Sequence, residues 1–199
     1  LMDSATSEFL FTLDFFGARN HEIFNAIYAK TLSHCLENLE QHLHSSYDSV
    51  GILLMIRLTH EHRMKMQRRR VPCLDSYLDR INLLLWPRFK AILDTNLTAL
   101  RAAVAGAAGS TAGYGAYSLT RSYADLATTF AILVNADAEP AMGMFDSGVS
   151  SILETMQKTV LQILENMASS HKQPKAKTIF LVNNYSHILR THAARGITE

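Results

Sequence analysis

Nine histidines are the residues best able to do chemistry here, and the first question is whether any two could share a metal. His60 and His62 flank Glu61, and His42 and His44 lie close by. A zinc-binding His-Glu-x-x-His places its histidines four residues apart, so that both project from one helix face. Residues two apart on a helix point about 200° from one another, so His60 and His62 diverge. His21-Glu22 begins the same motif, but Asn25 stands where the second histidine belongs. Di-metal bundles need Glu-x-x-His pairs on facing helices. No glutamate of the chain has a histidine three residues on, although Glu40 and His44 are four apart. The histidines read as surface or partner-facing groups, and no metal or other cofactor is expected.

Other catalytic patterns fail in similar ways. The segment 106–115 has the glycine content of a phosphate-cradling loop, but no Gly-Lys-Ser/Thr follows it and no strand pattern precedes it. Asp14-Phe15-Phe16-Gly17 imitates the kinase Asp-Phe-Gly with an extra Phe and no companion motifs. It reads more simply as an apolar helix end with Gly17 as its C-cap. Cys35 and Cys73 lack a histidine and carboxylate at a family-typical spacing, and there is no Gly-x-Ser-x-Gly elbow. Asn96-Leu97-Thr98 and Asn184-Tyr185-Ser186 match glycosylation sequons by chance. No catalytic residue is named.

Two features are left. Arg57, Arg63, Lys65, Arg68, Arg69 and Arg70 crowd the end of a predicted helix, with only Glu61 opposing them. Cations at a helix C-terminus complement the macrodipole. The alternative for Arg63, Lys65, Arg68, Arg69 and Arg70 is a patch for anionic lipid headgroups or an acidic partner. Asn183-Asn184-Tyr185 follows an apolar run. Two amides inside an apolar helical stripe are unfavourable unless their hydrogen bonds are met. Either they form a solvent-facing turn, or they are a buried pair that fixes how this helix docks.

Helices must position all of these groups, because apolar spacing is helical almost throughout. One stripe runs Ile23, Ile27, Leu32, Leu36, Leu39, Leu43. Another runs Leu74, Leu78, Ile81, Leu85, Phe89, Ile92, Leu100. The cleanest is Val149, Leu153, Met156, Val160, Ile163, Met167, the three-four seam of one helix packing along another. The spacing predicts helices near 3–16, 20–44, 46–69, 73–101, 118–136, 140–170 and 175–194, and no strand. Pro72, Pro140 and Pro174 stand just before helical patterns. Pro87 falls inside one and predicts a kink near Trp86. Four of the nine glycines lie in 102–117, which reads as a mobile loop between a first helical section, 1–101, and a second, 118–199.

The balance of 19 Lys+Arg against 18 Asp+Glu gives no global nucleic-acid footprint. A chain that is 48% hydrophobic and 19% charged is not a disordered one. Two cysteines are too few for a disulfide framework, which points to a reducing, cytosolic compartment. Apolar runs such as 50–56 and 83–86 fall far short of the roughly 20 residues a membrane span needs. Leu1 stands where a start Met is expected, so the chain reads as a piece of something longer.

Several strings are similar to one known family. His21-Glu22-Ile23-Phe24 leading to Lys30-Thr31-Leu32-Ser33 resembles the middle-to-C-terminal region of the fifty-two subunit family of the vacuolar-protein-sorting (Vps) tethers. So do Val71-Pro72-Cys73-Leu74-Asp75-Ser76-Tyr77, Leu83-Leu84-Leu85-Trp86-Pro87-Arg88-Phe89, Thr120-Arg121-Ser122-Tyr123-Ala124 and Phe180-Leu181-Val182-Asn183-Asn184-Tyr185. The likeness covers nearly the whole chain apart from the Gly-rich insert, and it makes Trp86, Pro87, Asn183, Asn184 and Tyr185 motif residues. It implies an all-α fold of elongated, stacked helical bundles, the helical-rod tether (CATCHR) type. It also implies a non-enzymatic scaffold subunit of the Golgi-associated retrograde protein (GARP) complex or its endosome-associated recycling counterpart (EARP). The implied partners are other subunits, Rab-type small GTPases and SNAREs, at the cytosolic face of the trans-Golgi network and endosomes. Two competitors are another helical adaptor or tether subunit, of exocyst or COG type, and a helical-bundle metalloprotein. No period of 33 to 47 residues appears, which counts against helical repeats.

Overall fold

The computed structural model describes residues 1–17, 20–106, 113–135 and 143–195. Within them the chain is helical, with no strand: α1 Met2–Phe16, α2 Asn20–Ser45, α3 Ser49–Arg69, α4 Asp75–Gly106, α5 Ser118–Asn135, α6 Gly143–Ser169 and α7 Pro174–Ala194. Among the described residues no helix is long and apolar enough to cross a membrane.

Local chemistry sets most of the ends. Gly17, at φ 52°, closes α1 as expected and donates its N–H to Leu13 O. Asp48 caps α3 by accepting the Gly51 N–H at 2.9 Å. A Cβ at position 51 would meet Asp48 Oδ2 at 2.4 Å, so a larger residue there would displace the capping carboxylate. Pro174 opens α7, where its missing N–H would have no helical partner. Pro140 lies outside the described residues. Pro87 is accommodated inside α4, on its exposed side. The carbonyl it leaves unpaired belongs to Leu83, which is itself 72% exposed, so water can meet it.

Contacts divide the chain into Leu1–Ile92 and Leu93–Glu199, a boundary that falls inside α4. In the first unit α1 packs along α2. Ala5, Phe9, Phe24, Met66, Val71, Cys73, Leu74 and Leu78 form one core. Phe9 meets Phe24 edge-on at 5.7 Å, and Phe24 stacks on Tyr28 at 4.7 Å. The α2 stripe therefore needs a correction. Its inner line is Phe24, Tyr28, Leu32, Leu36, Leu39, Leu43, whereas Ile27 is 50% exposed. The five-residue step from Ile27 to Leu32 rotates too far to hold one face.

In the second unit α5, α6 and α7 pack on one another, and Leu97, Leu100 and Val104 of α4 close the core from one side. The predicted α6 seam is there. Val149, Met156, Val160, Ile163 and Met167 are buried, and Leu153 is half-buried against the same core. The expected loop at 102–117 changes at both ends. Residues 102–106 continue α4, because their alanines favour helix and Val104 packs against the core. Residues 107–112, where mobility is expected, lie outside the described residues, and 113–117 are non-helical but anchored, as shown next.

Candidate functional site

Asn184 is the polar residue of an apolar line. Ala176, Phe180, Asn184 and Ile188 recur every four residues along α7, and all four are buried. Asn184 is 0% exposed. Its Oδ1 accepts the Tyr117 N–H at 2.8 Å and the Thr120 hydroxyl at 2.7 Å, and its Nδ2 donates to Phe180 O at 2.8 Å. Tyr117 is the N-cap of α5, since its carbonyl accepts from Arg121 N. A capping-box glutamate normally reaches back to the cap N–H from within its own helix. Here an amide from α7 does it. The backbone N–H on one side and the backbone carbonyl on the other leave one orientation for the amide.

Asn183, beside it, is exposed and donates to Tyr114 O at 2.6 Å. Arg121 donates twice to Ala116 O, at 3.1 and 3.0 Å. Tyr114 stacks on His171 at 6.0 Å, and His171 lies 5.5 Å from Phe180. Tyr185 is half-buried on the same core, and its phenol is pushed up by burial and by the charge of Glu165. Of the two readings open from sequence, Asn184 is the buried docking amide and Asn183 the solvent-facing one.

The basic run is divided in its work. Arg57 is nearly buried and pairs with Glu61 at 3.2 Å. Arg63 pairs with Asp79 of α4. Arg69 pairs with Asp3 of α1 at 2.8 Å. Arg70, at φ 57°, is the left-handed C-cap of α3, with its backbone N–H on Gln67 and Met66 carbonyls. Lys65, Arg68 and Arg70 are exposed. The run is thus partly a set of clamps holding α3 against α1 and α4, which sequence reasoning missed because the acids lie far off in the chain. Met66 is fully buried, the ordinary packing role.

Trp86 is half-buried, 5.7 Å from Phe89. The neighbouring Arg88, unremarked from sequence, donates two hydrogen bonds to Ser46 O, at 3.0 and 2.7 Å, and lies over the Tyr47 ring. It thereby holds the α2–α3 turn against α4. Among the described residues no three His, Cys, Asp or Glu side chains are placed to hold a metal. The Cys73 thiol is buried against Ala5 O, and burial pushes it up to about 11, where little thiolate exists at neutral pH.

The family model described as Vps52, C-terminal, matches residues 1–196. Vacuolar protein sorting-associated protein 52 A of Arabidopsis thaliana is 38% identical over 185 residues, covering 93% of this chain and 25% of that protein. The Homo sapiens vacuolar protein sorting-associated protein 52 homolog is 30% identical over 192 residues, covering 95% of this chain and 25% of that protein. The Schizosaccharomyces pombe protein 52 is 27% identical over 193 residues, covering 94% of this chain and 36% of its own. The chain spans about a quarter of the length of the first two relatives. No solved structure matches.

Removing the Asn184 amide should cost more than removing its neighbour's. Asn184→Ala strands the Thr120 hydroxyl in the core, leaves the half-buried Tyr117 N–H without its acceptor, and should lower unfolding free energy by about 2–3 kcal/mol in urea titrations. Asn183→Ala, at the surface, should cost well under half of that. A second expectation concerns Asp3. Its hydrogen bond to Arg69, and then the arginine's charge, hold its carboxyl below the ordinary 3.8. A depressed carboxylate favours the fold above its ordinary range and loses that contribution as pH falls through the lowered value. In an NMR titration Asp3 should titrate low, and Arg69→Ser should return it to the ordinary range.

Proposed function

The chain belongs to the Vps52 family, and on that footing we propose that it is a non-enzymatic scaffold segment of a subunit of a multisubunit vesicle-tethering complex of the GARP/EARP kind. The observation that carries this reading is the match to Vps52, C-terminal, over residues 1–196. The implied work is endosome-to-trans-Golgi retrograde transport and endocytic recycling, at the cytosolic face of those membranes. The stacked-bundle rod of the helical-rod tethers is the architecture that fits such a segment. Its partners on this reading are the other subunits of the complex, with Rab-type GTPases and SNAREs recruited by the assembly. The fold supports a scaffold role, because its polar groups serve helix docking: Asn184 caps α5 from within the core, and Arg63 and Arg69 clamp α3 at the surface. Lys65, Arg68 and Arg70 remain exposed at the end of α3. Each is suited to an anionic membrane beside the tether, where a Lys or Arg near the surface contributes about 1 kcal/mol.

Affinity purification of the full-length protein, with partners identified by mass spectrometry, tests this. The expected result is co-isolation in fixed proportion with the other subunits of one tethering complex of the GARP/EARP kind. Isolation with exocyst or COG subunits instead, or as a lone protein, would contradict it.

A further inference from the structure

Helix α7 is apolar on two opposite sides. Its inner line, Ala176, Phe180, Asn184 and Ile188, faces the core of the second unit. On the far side Ile179 is 40% exposed, Val182 53% and Leu189 65%. With Ser186 between them, these positions step three, four and three residues, the spacing of a seam that receives another helix. At 100° per residue they lie within one quarter of the helix circumference, opposite the buried line. The stripe is about 15 Å long at 1.5 Å per residue. Lys175 stands at its start and Arg190 at its end, on the same face and both exposed.

The charge that α7 itself carries along this seam has one sign. No Asp or Glu occurs between Glu165 and Glu199, so α7 carries Lys175, Lys177 and Arg190 with no acid of its own. Among the described residues no carboxylate pairs with Lys175 or Arg190. Arg195 is different, because it reaches Asp125 at 3.4 Å. Lysines at the start of a helix oppose the macrodipole, so their place in the first turn has no benefit to α7 itself.

We infer that the outer face of α7 is a docking seam for a partner helix of opposite design, with apolar residues at three-four spacing flanked by Glu or Asp. Carboxylates placed beside the partner's seam would meet Lys175 and Arg190 as the flanking charges of a coiled coil meet, setting orientation and partner choice. A membrane is the poorer occupant. The stripe is narrow and aliphatic, with no aromatic residue, whereas helices that lie in a lipid interface present a broad face with Trp or Phe. The inference stands apart from complex membership, which the purification reads independently.

The experiment is site-specific photo-crosslinking from the full-length protein in cells. A photo-reactive amino acid replaces Val182 or, separately, Leu189, and the crosslinked peptide is sequenced. The expected product is a segment of another protein with apolar residues at three-four spacing and net negative charge. Lys175→Glu with Arg190→Glu should then reduce the crosslink about tenfold, since like charges now face each other. Both are surface positions, so the melting curve should not move. Crosslinks to lipid, to a second copy of this chain, or to a segment without flanking acids would overturn the inference. So would the absence of any crosslink, or a yield that the charge reversal leaves unchanged.

Discussion

A buried amide is costly unless its hydrogen bonds are met, and the second unit is organised around meeting those of Asn184. An unsatisfied polar group in an apolar seam costs about 1–3 kcal/mol. Asn184 meets the requirement in one arrangement only, with the N-cap of α5 at its oxygen and its own preceding turn at its nitrogen. A slide of α7 by one turn would bring Phe180 or Ile188 to the cap and leave the amide unpaired. The residue thus acts as a lone polar group in a coiled-coil seam does, giving up some burial energy to specify register. That register carries the anchored segment 114–117 with it, through Tyr114 and Ala116.

The first unit solves the same problem with charge. Its helices share an apolar core, which sets how deeply they pack but is tolerant of sliding. Arg63 to Asp79, Arg69 to Asp3 and Arg88 to Ser46 O each join two elements. These contacts are at or near the surface, where single ion pairs contribute little to stability. Their value lies in alignment, since each is satisfied only when its helices sit at one offset. Arg88 brings two N–H groups to the one Ser46 carbonyl oxygen, which fixes the orientation of its guanidinium. It explains why an arginine follows Trp86-Pro87 in a segment already recognisable from sequence.

Much of the fold was legible because helix formation is written locally. The α6 seam, the Gly17 cap and the Pro174 start all rest on residues within a turn or two of each other, and each lies where the spacing put it. The misses share another cause. The run of arginines reads as a patch because its acids are distant: Asp79 is 16 residues from Arg63, and Asp3 is 66 from Arg69. Asn184 was recognisable as a residue in need of partners, but these stand 64 and 67 residues away. Ile27 reads as part of the α2 stripe, although its five-residue step to Leu32 turns it off that face, and Phe24 holds the inner position instead. Gly106 drew attention to a break that the preceding alanines delay.

The second unit holds its inner faces in one register, while the outer apolar positions of α7, Ile179, Val182 and Leu189, stay exposed. The central claim is that the amide of Asn184 and the start of α5 are energetically one unit. A double-mutant cycle on Asn184→Leu and Thr120→Val, read by urea unfolding, tests it most directly. The two changes should be coupled by about 1–2 kcal/mol, because Asn184→Leu strands the buried Thr120 hydroxyl and Thr120→Val removes one of the two donors to the Asn184 oxygen. Effects that simply add, within about 0.5 kcal/mol, would contradict it.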